Sequence, residues 1–442
     1  MASSRKLQSK LKSQKRIAVA LSGGLDSVVL LDTVCKAQTK ENNNSAEIWA
    51  FHIHHGLQKP ADDWLIFCEK LAKKYKIGFD FRLLHLTQDA EQGNIEARAR
   101  AGRYEALAEL CVEYGIENLL LAHHQNDQAE TVLLQLLRGS GVAGLSGMPN
   151  ERELTLDENY ITLWRPLLNQ SRAELEAYAK AYKLKWIEDP SNQSIRFRRN
   201  AIRKQIIPRL EKIQPAAVAN LARSANLLSE AQTLLDRLAI ADGKAILING
   251  SVVIKSLLDL AQSDLAAANN VLRYWLKTQQ LAMPSQERLQ AWWTDLQSAK
   301  PDAQLEWLHD GVSLRLWRGH LQAISKTSGR WVFHSIPSRS ERLGLSAVWV
   351  KTAQENGLVE YRMRSGSEKI QIKPKSPRKT LKNLFQEGDI PPWQREAPLL
   401  YIEGQLIGVA GIGTSYPHLV DSGARVWPEW QEGAWPLQNP VK

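Results

Sequence analysis

The stretch Ser22-Gly23-Gly24-Leu25-Asp26-Ser27 gathers two hydroxyls, two glycines and a carboxylate. Apolar residues Ile17 to Leu21 lead into it and a helical apolar pattern, Val28 to Val34, leads out, which predicts strand, tight turn and helix. Such a turn is an anion site. The first-turn N–H groups of a helix have no intrahelical partner, and the helix dipole favours negative charge there. Gly23 and Gly24 lack a Cβ, so the backbone can bend sharply and approach a phosphate. Ser22 and Ser27 add hydroxyl donors. Asp26 repels phosphate, and its presence makes sense if it holds Mg²⁺ or a cationic substrate beside the phosphates. The simpler reading of these residues is a glycine turn with an Asp or Ser helix cap. No G-x-x-x-x-G-K-[ST] occurs in the chain, so the loop is not of the Walker A kind.

A second cluster runs from His123 to Thr131. Asp127 and Glu130 are three apart and share a helix face. Beside a phosphate site, two carboxylates on one face would hold a cation, either Mg²⁺ or an ammonium. A D-x-x-E at a helix start is also a capping box. Arg98, Arg100 and Arg103 lie on the preceding predicted helix. Arg103 could reach a phosphate or carboxylate as a fork, or pair on the surface with Glu96 or Glu105. His54 and His55 lack a third ligand at metal-site spacing and read as polar lining.

These residues need a scaffold. Strands are predicted at Ile17–Leu21, Ile48–His54, Phe79–Leu86 and Asn118–Ala122, and helices at Asp62–Tyr75, Ile95–Tyr114 and Asp127–Leu137. Strands alternating with helices argue an α/β fold, a parallel sheet with helices on both faces. In such sheets ligands bind beyond the carboxyl ends of the strands. The clusters Ser22–Ser27, His52–Gly56 and His123–Asp127 all fall there. Polar residues Lys40 to Ser45 form a loop. Gly139 to Pro149 reads as a flexible glycine-rich loop, and Ser171-Arg172-Ala173-Glu174 as a capping box opening a helix to Tyr182. Asp189-Pro190 breaks the pattern, and a long amphipathic helix follows from Pro215 to Leu238. The division expected is residues 1–214, the domain that carries the glycine turn, then 215–330, mostly helical, then 331–442, a small β-rich domain. In the last, Trp331–Phe333, Ala347–Val350, Leu399–Ile402 and Leu406–Gly408 read as strands.

Composition narrows the class. With 442 residues, 43% hydrophobic and 24% charged, the chain has the balance of a multidomain globular protein. No apolar run reaches the length of a membrane span and no signal peptide is visible, so no membrane partner and a cytoplasmic location are expected. Cys35, Cys68 and Cys111 form no C-x-x-C, which argues against a metal cluster or disulfide framework. The net charge is +10 and the pI about 9.3, pointing to a polyanionic partner. Basic stretches run from Arg5 to Arg16, from Arg196 to Arg209 and from Arg362 to Lys382, the last broken only by the acid Glu368.

SGGLDS at 22–27 resembles the loop of the PP-loop ATP-pyrophosphatase superfamily, whose members split ATP between the α and β phosphates and adenylate an acceptor. Nearly end to end, the chain is similar to the bacterial tRNA(Ile)-lysidine synthetase family. The matching segments are HIHHGLQ at 52–58, NIEARARAGRYEAL at 94–107, AHHQNDQAETVLLQLLRGSGVAGLSGM at 122–148, RPLL at 165–168, EDPSN at 188–192, RRNAIR at 198–203 and LKNLFQEGDIPPWQREAPLLY at 381–401.

The resemblance implies a Rossmann-like PP-loop domain and two appended tRNA-binding domains. It implies that ATP adenylates O2 of the wobble cytosine of a CAU-anticodon tRNA(Ile), and that the ε-amine of free L-lysine then expels AMP to give lysidine. Carried over by position, Ser22, Gly23, Gly24, Leu25, Asp26 and Ser27 would hold the ATP phosphates, with Asp26 near Mg²⁺ or the amine. Asp127 and Glu130 would orient the lysine amine, while Arg103 and Arg199 would stabilise phosphate and tRNA charge. The resemblance leaves room for a homodimer. A sulfur-inserting tRNA enzyme of the same superfamily is the nearest alternative, opposed by the lack of a cysteine set. A glutamine-dependent synthetase would need a glutaminase, and a non-enzymatic RNA binder would not need Asp26, Asp127 and Glu130 together.

Overall fold

The computed structural model describes residues 11, 14–39, 46–54, 61–84, 95–156, 159–188, 198–299, 305–324 and 329–432, with side chains omitted at 39, 61, 95–99 and 432. His55, Gly56, Asp189, Pro190, Arg196, the loop Lys40 to Ser45 and most of the Arg5–Arg16 stretch lie outside the described residues, as does the side chain of Arg98. The chain divides into two compact units, residues 1–237 and 238–442.

The first unit is built on a six-stranded sheet. Its strands are β1 (Arg16–Ala20), β2 (Glu47–His54), β3 (Gly78–Leu83), β4 (Asn118–Leu120), β5 (Glu151–Leu156) and β6 (Asn159–Trp164), in the order β3-β2-β1-β4-β6-β5. All neighbours are parallel except β5, which closes the edge antiparallel to β6. The β5–β6 hairpin was not foreseen: its outer strand is mostly exposed and charged, so it carries no apolar signal. Successive β1 side chains serve opposite faces. Ile17 and Val19 pack with Val28 and Leu31 of α1 (Leu25–Thr39), and Ala18 packs with Leu107 and Leu110 of α2 (Ile95–Glu113). The connections from β1 and β4 leave toward opposite sides of the sheet. That is the switch point at which open α/β sheets form a crevice.

One buried carboxylate pins three helices. Asp32 of α1 accepts hydrogen bonds from the hydroxyls of Tyr75 at 2.6 Å and Tyr178 at 2.7 Å, and pairs with Lys36 at 2.7 Å. Tyr75 ends the helix Ala61–Tyr75, and Tyr178 lies on Arg172–Ala181, the helix foreseen from its capping box. The Gly139–Pro149 segment is held rather than loose. Met148 donates its N–H to Gln128 Oε1 at 2.7 Å and accepts from Nε2 at 3.0 Å. Gly147, at φ +66°, leaves no room for a Cβ beside that carboxamide.

The second unit holds helices Ile254–Ser263, Leu265–Thr278 and Gln286–Ser298 packed against a five-stranded antiparallel sheet of residues 247–324. That sheet adds to the helical content expected there. Its strands are two to six residues long, too short for an alternation signal to stand out. Beyond Gly329 short strands dominate, as expected, with one correction. Ala347–Val350 is not a strand but the opening of the helix Ala347–Glu355. Ser346 caps it by accepting from the Trp349 N–H, and its buried residues Val350 and Ala353 follow helical spacing.

Replacing Tyr178 by Phe removes a hydrogen bond to the buried Asp32 carboxylate. It should lower unfolding stability by about 1.5–3 kcal/mol in a urea titration; a smaller change would mean that Tyr75 and Lys36 satisfy Asp32 alone.

Candidate active site

The turn after β1 is stapled from below. The Leu21 carbonyl accepts from Nδ1 of His52 at 2.8 Å, so that nitrogen carries the proton. Burial holds the pKa of this β2 histidine below its ordinary value, against the pull of the Leu21 carbonyl. Gly23 stands at φ +83°, where a side chain would be strained, and its carbonyl accepts from the Ile187 N–H at 2.9 Å. A Cβ there would press on Cys68 and Ile187, 3.2 Å away. Ser27 donates its hydroxyl to the Gly24 carbonyl at 2.9 Å and lies 3.1 Å from the Ser22 hydroxyl. Leu25 is buried in the core, so only its backbone faces the turn.

Above the turn a cavity of about 410 Å³ opens, floored by Phe51, Ile53 and Leu107. Its polar lining includes Ser22, Asp26, Ser27, Arg103, Asp127 and Arg199. Six residues singled out from sequence therefore meet in one place. Glu130 lies beneath, with 0% exposure, and connects to the cavity through its partners.

Helix α3 (Gln125–Leu136) carries both carboxylates. Its cap is His124, whose Nδ1 accepts from the Asn126 N–H, and Asp127 completes the capping box by accepting from the His124 N–H at 3.0 Å. The capping box is thus His124 with Asp127, not the D-x-x-E pair of Asp127 with Glu130, and one oxygen of Asp127 caps the helix. The other accepts from Arg199 Nη2 at 2.9 Å. Glu130 accepts from Arg199 Nε at 2.7 Å, from Arg203 Nε at 2.6 Å and from Arg203 Nη2 at 3.0 Å. Burial would raise the Asp127 pKa, but His124 and Arg199 outweigh it and hold the carboxyl below its ordinary value. Arg199 belongs to the turn Arg198–Ala201, and Arg203 to the π-helical segment Ile202–Ile206 that follows. Four residues apart, the two guanidiniums share one face and reach the same two carboxylates.

Asp26 is the second acidic centre. Arg172 Nη1 donates to both of its oxygens at 2.8 Å, and His124 Nε2 stands 3.7 Å away. Burial raises the Asp26 pKa and Asp127 adds to the rise, against His124 and Arg172. Arg103 opens into the cavity. Its side chain is exposed there, and its pKa lies below the ordinary value because the surrounding protein, Arg100 and Arg199 outweigh the pull of Tyr104. The Arg100 guanidinium lies 5.9 Å from the centre of the Tyr104 ring, and although burial opposes, Arg100 and Arg165 bring its phenol below the ordinary value. His123 lines the same cavity with a buried Nδ1 that has no partner. Burial, helped by Arg165, Arg199 and Arg100, pushes its pKa down to about 3.

Sequence reasoning missed Arg172, Arg203, Tyr104 and Arg165. Arg203 sat in the basic stretch after Arg196, and Arg172 in the capping box, so each had a local explanation that hid a long-range one. His54, read as lining, instead pairs with Asp62 at 3.0 Å and does not line the cavity. Among the described residues no group of three or more His, Cys, Asp or Glu is arranged to hold a metal, and no helix is long and apolar enough to cross a membrane.

Residues 1–210 match the family model of a PP-loop domain, 256–322 that of a TilS substrate binding domain, and 359–430 that of a TilS substrate C-terminal domain. A tRNA(Ile)-lysidine synthase of Nitrosomonas europaea is 35% identical over 95% of this chain and 92% of its own. One from Ralstonia nicotianae is 38% identical over 90% and 88%. A solved U34-tRNA thiolase from Methanococcus maripaludis covers 52% of this chain and 79% of its own, with TM-score 0.43 and 21% identity.

His123 gives a pH signature. Its folded pKa is depressed to about 3, so below the unfolded value of about 6.5 the unfolded chain takes up a proton that the fold refuses. Stability is therefore lost as pH falls from about 6.5 toward 3. His123→Gln should recover about 2 kcal/mol of the loss between pH 7 and 4.5, read from urea unfolding at each pH; an unchanged slope would mean that His123 titrates normally.

Proposed function

Because the chain belongs to the tRNA(Ile)-lysidine synthase family, we propose that its cavity joins free L-lysine to carbon 2 of the wobble cytidine of a CAU-anticodon tRNA(Ile). The protein is an ATP-dependent ligase of tRNA modification. The cytosine O2 attacks the α phosphate of ATP and pyrophosphate leaves. The lysine ε-amine then attacks carbon 2, loses a proton and expels AMP. The observation that carries this reading is the meeting of the Ser22–Ser27 turn with Asp127 at one cavity, with Glu130 joined to it from beneath through Arg199.

Each part has work suited to its chemistry. The turn and its first-turn N–H groups would cradle phosphates, with Ser22 and Ser27 as hydroxyl donors. Arg103 would take phosphate charge. Asp26 is the carboxylate suited to Mg²⁺, an ion that commonly binds one or two carboxylates plus substrate phosphates and so needs no larger cluster. The bound ion would offset phosphate charge, and Arg172 would have to yield Asp26 to it. The lysine ammonium would bind at Asp127 and Glu130, where two guanidiniums now sit. Arg203 is 40% exposed against 22% for Arg199, which makes Arg203 the partner the ammonium displaces. Arg199 would stay to hold the carboxylates and face the phosphates.

The sulfur-inserting alternative finds no support in the cysteines. Cys35, Cys68 and Cys111 are all buried, and burial pushes each thiol up to about 12. None is a thiolate at neutral pH.

Incubation with ATP, Mg²⁺ and isotope-labelled lysine, followed by mass spectrometry of the tRNA, should show labelled lysine on the wobble nucleoside with AMP and pyrophosphate released. Glu130→Gln should cut the lysine-dependent step by about 2–4 kcal/mol while pyrophosphate release persists. Release of ADP and phosphate, or unlabelled tRNA, would contradict the reading.

A further inference from the structure

The second unit contains a cleft of about 320 Å³ that the reaction does not use. It lies between the helices Leu265–Thr278 and Gln286–Ser298, within the segment that matches the TilS substrate binding domain. Asn269 and Arg273, one turn apart, line one wall, and Gln286, Gln290 and Gln297 follow helical spacing along the other. Trp293 is buried behind them and donates its indole N–H to Asn269 Oδ1 at 2.7 Å. That bond fixes the carboxamide with its carbonyl turned to Trp293, so its NH₂ end is what Asn269 has left to offer.

The chemistry of this lining is unusual for two exposed helix faces, which ordinarily carry charged residues. None of the lining side chains is acidic, and Arg273 is the one cation. The other polar groups are the Thr294 hydroxyl and four carboxamides, Asn269, Gln286, Gln290 and Gln297, set among Leu265, Leu289 and Trp293; each glutamine presents a donor and an acceptor in one plane. Such groups match the edges of nucleic-acid bases, whereas phosphates draw lysine and arginine. The contrast with the Arg362–Lys382 stretch, where charge dominates, is plain. The volume is at the small end of ligand pockets, room for one nucleoside and not for a duplex. RNA is read in sequence-specific fashion chiefly through unstacked bases.

We propose that this cleft reads one unstacked base of the tRNA, an inference that rests on the tRNA substrate proposed above and adds to it a recognition site in the second unit. Gln290 and Gln286 take the base edge, Arg273 supports it from the facing helix, and Asn269 is pre-set by Trp293. The cleft supplies sequence information, which phosphate contacts made by the basic stretches do not carry.

The test is filter binding of a CAU-anticodon tRNA(Ile) transcript to the full-length chain over a salt series. The variants are Gln290→Ala, Gln297→Ala and the pair Gln286→Ala with Gln290→Ala, all at exposed positions whose unfolding midpoint should match wild type. The expected result is affinity lowered about 10-fold by Gln290→Ala at every salt concentration, with an unchanged slope of log affinity against log salt, because no counterion release is lost. A substitution at one unpaired base of the transcript should weaken wild type and leave Gln290→Ala unaffected. Variants that bind within about twofold of wild type, or a shallower salt slope, would overturn the proposal, the latter by showing a backbone contact. Lysidine formation by the wild type is read in parallel. Its absence with tRNA binding intact would contradict the assigned reaction, while the cleft would still be judged by the binding series.

Discussion

The ion-pair cluster of Asp127, Glu130, Arg199 and Arg203 is the constraint on which the rest of the catalytic unit turns. Glu130 is fully buried, and a buried carboxylate without partners would cost several kcal/mol or take up a proton. It accepts from two guanidiniums, so the helix Gln125–Leu136 is bound to the segment 198–206 wherever that segment goes. The same carboxylates are the anionic centre of the site. The lysine ammonium proposed to bind there would therefore exchange with an arginine, and Arg203 is the more exposed partner. A site built this way does not present bare negative charge beside the turn meant for phosphates.

The phosphate turn depends on a different set of contacts. Its bend needs Gly23 at positive φ, its base hangs from His52, and its acidic member is held by Arg172 from the helix Arg172–Ala181. That helix is itself pinned to the helix after the turn through Tyr178 and Asp32. Loop geometry and core packing thus share elements. Asp26 is oriented by a helix more than a hundred residues away in sequence, and its raised pKa reflects burial in this crowded corner.

Much of the arrangement was legible because local chemistry announced it. The glycine turn, the alternation of strands with helices and the three-residue spacing of Asp127 and Glu130 each carry their signal within a few residues. What stayed hidden was pairing at a distance. Arg199 was expected to face phosphate and tRNA charge, yet its guanidinium is bonded to Asp127 and Glu130, a partnership no spacing rule reveals. Arg172 looked like an ordinary first-turn residue. The run Ala347–Val350 was misread because four apolar residues fit either period until the Ser346 cap is weighed. The carboxamide rows flanking Trp293 are visible as a site only when two helices are set side by side.

In the proposed reaction the lysine ammonium takes the place that Arg203 holds on Asp127 and Glu130. Equilibrium binding of labelled lysine to Arg203→Ala tests it most directly. Removing the competing guanidinium while Arg199 still partners Glu130 should tighten lysine binding about 5- to 10-fold, on the scale of one charge-assisted hydrogen bond. Lysine that binds Arg203→Ala no better than wild type, or more weakly, would show that the amine sits elsewhere and that the cluster serves only to hold the fold.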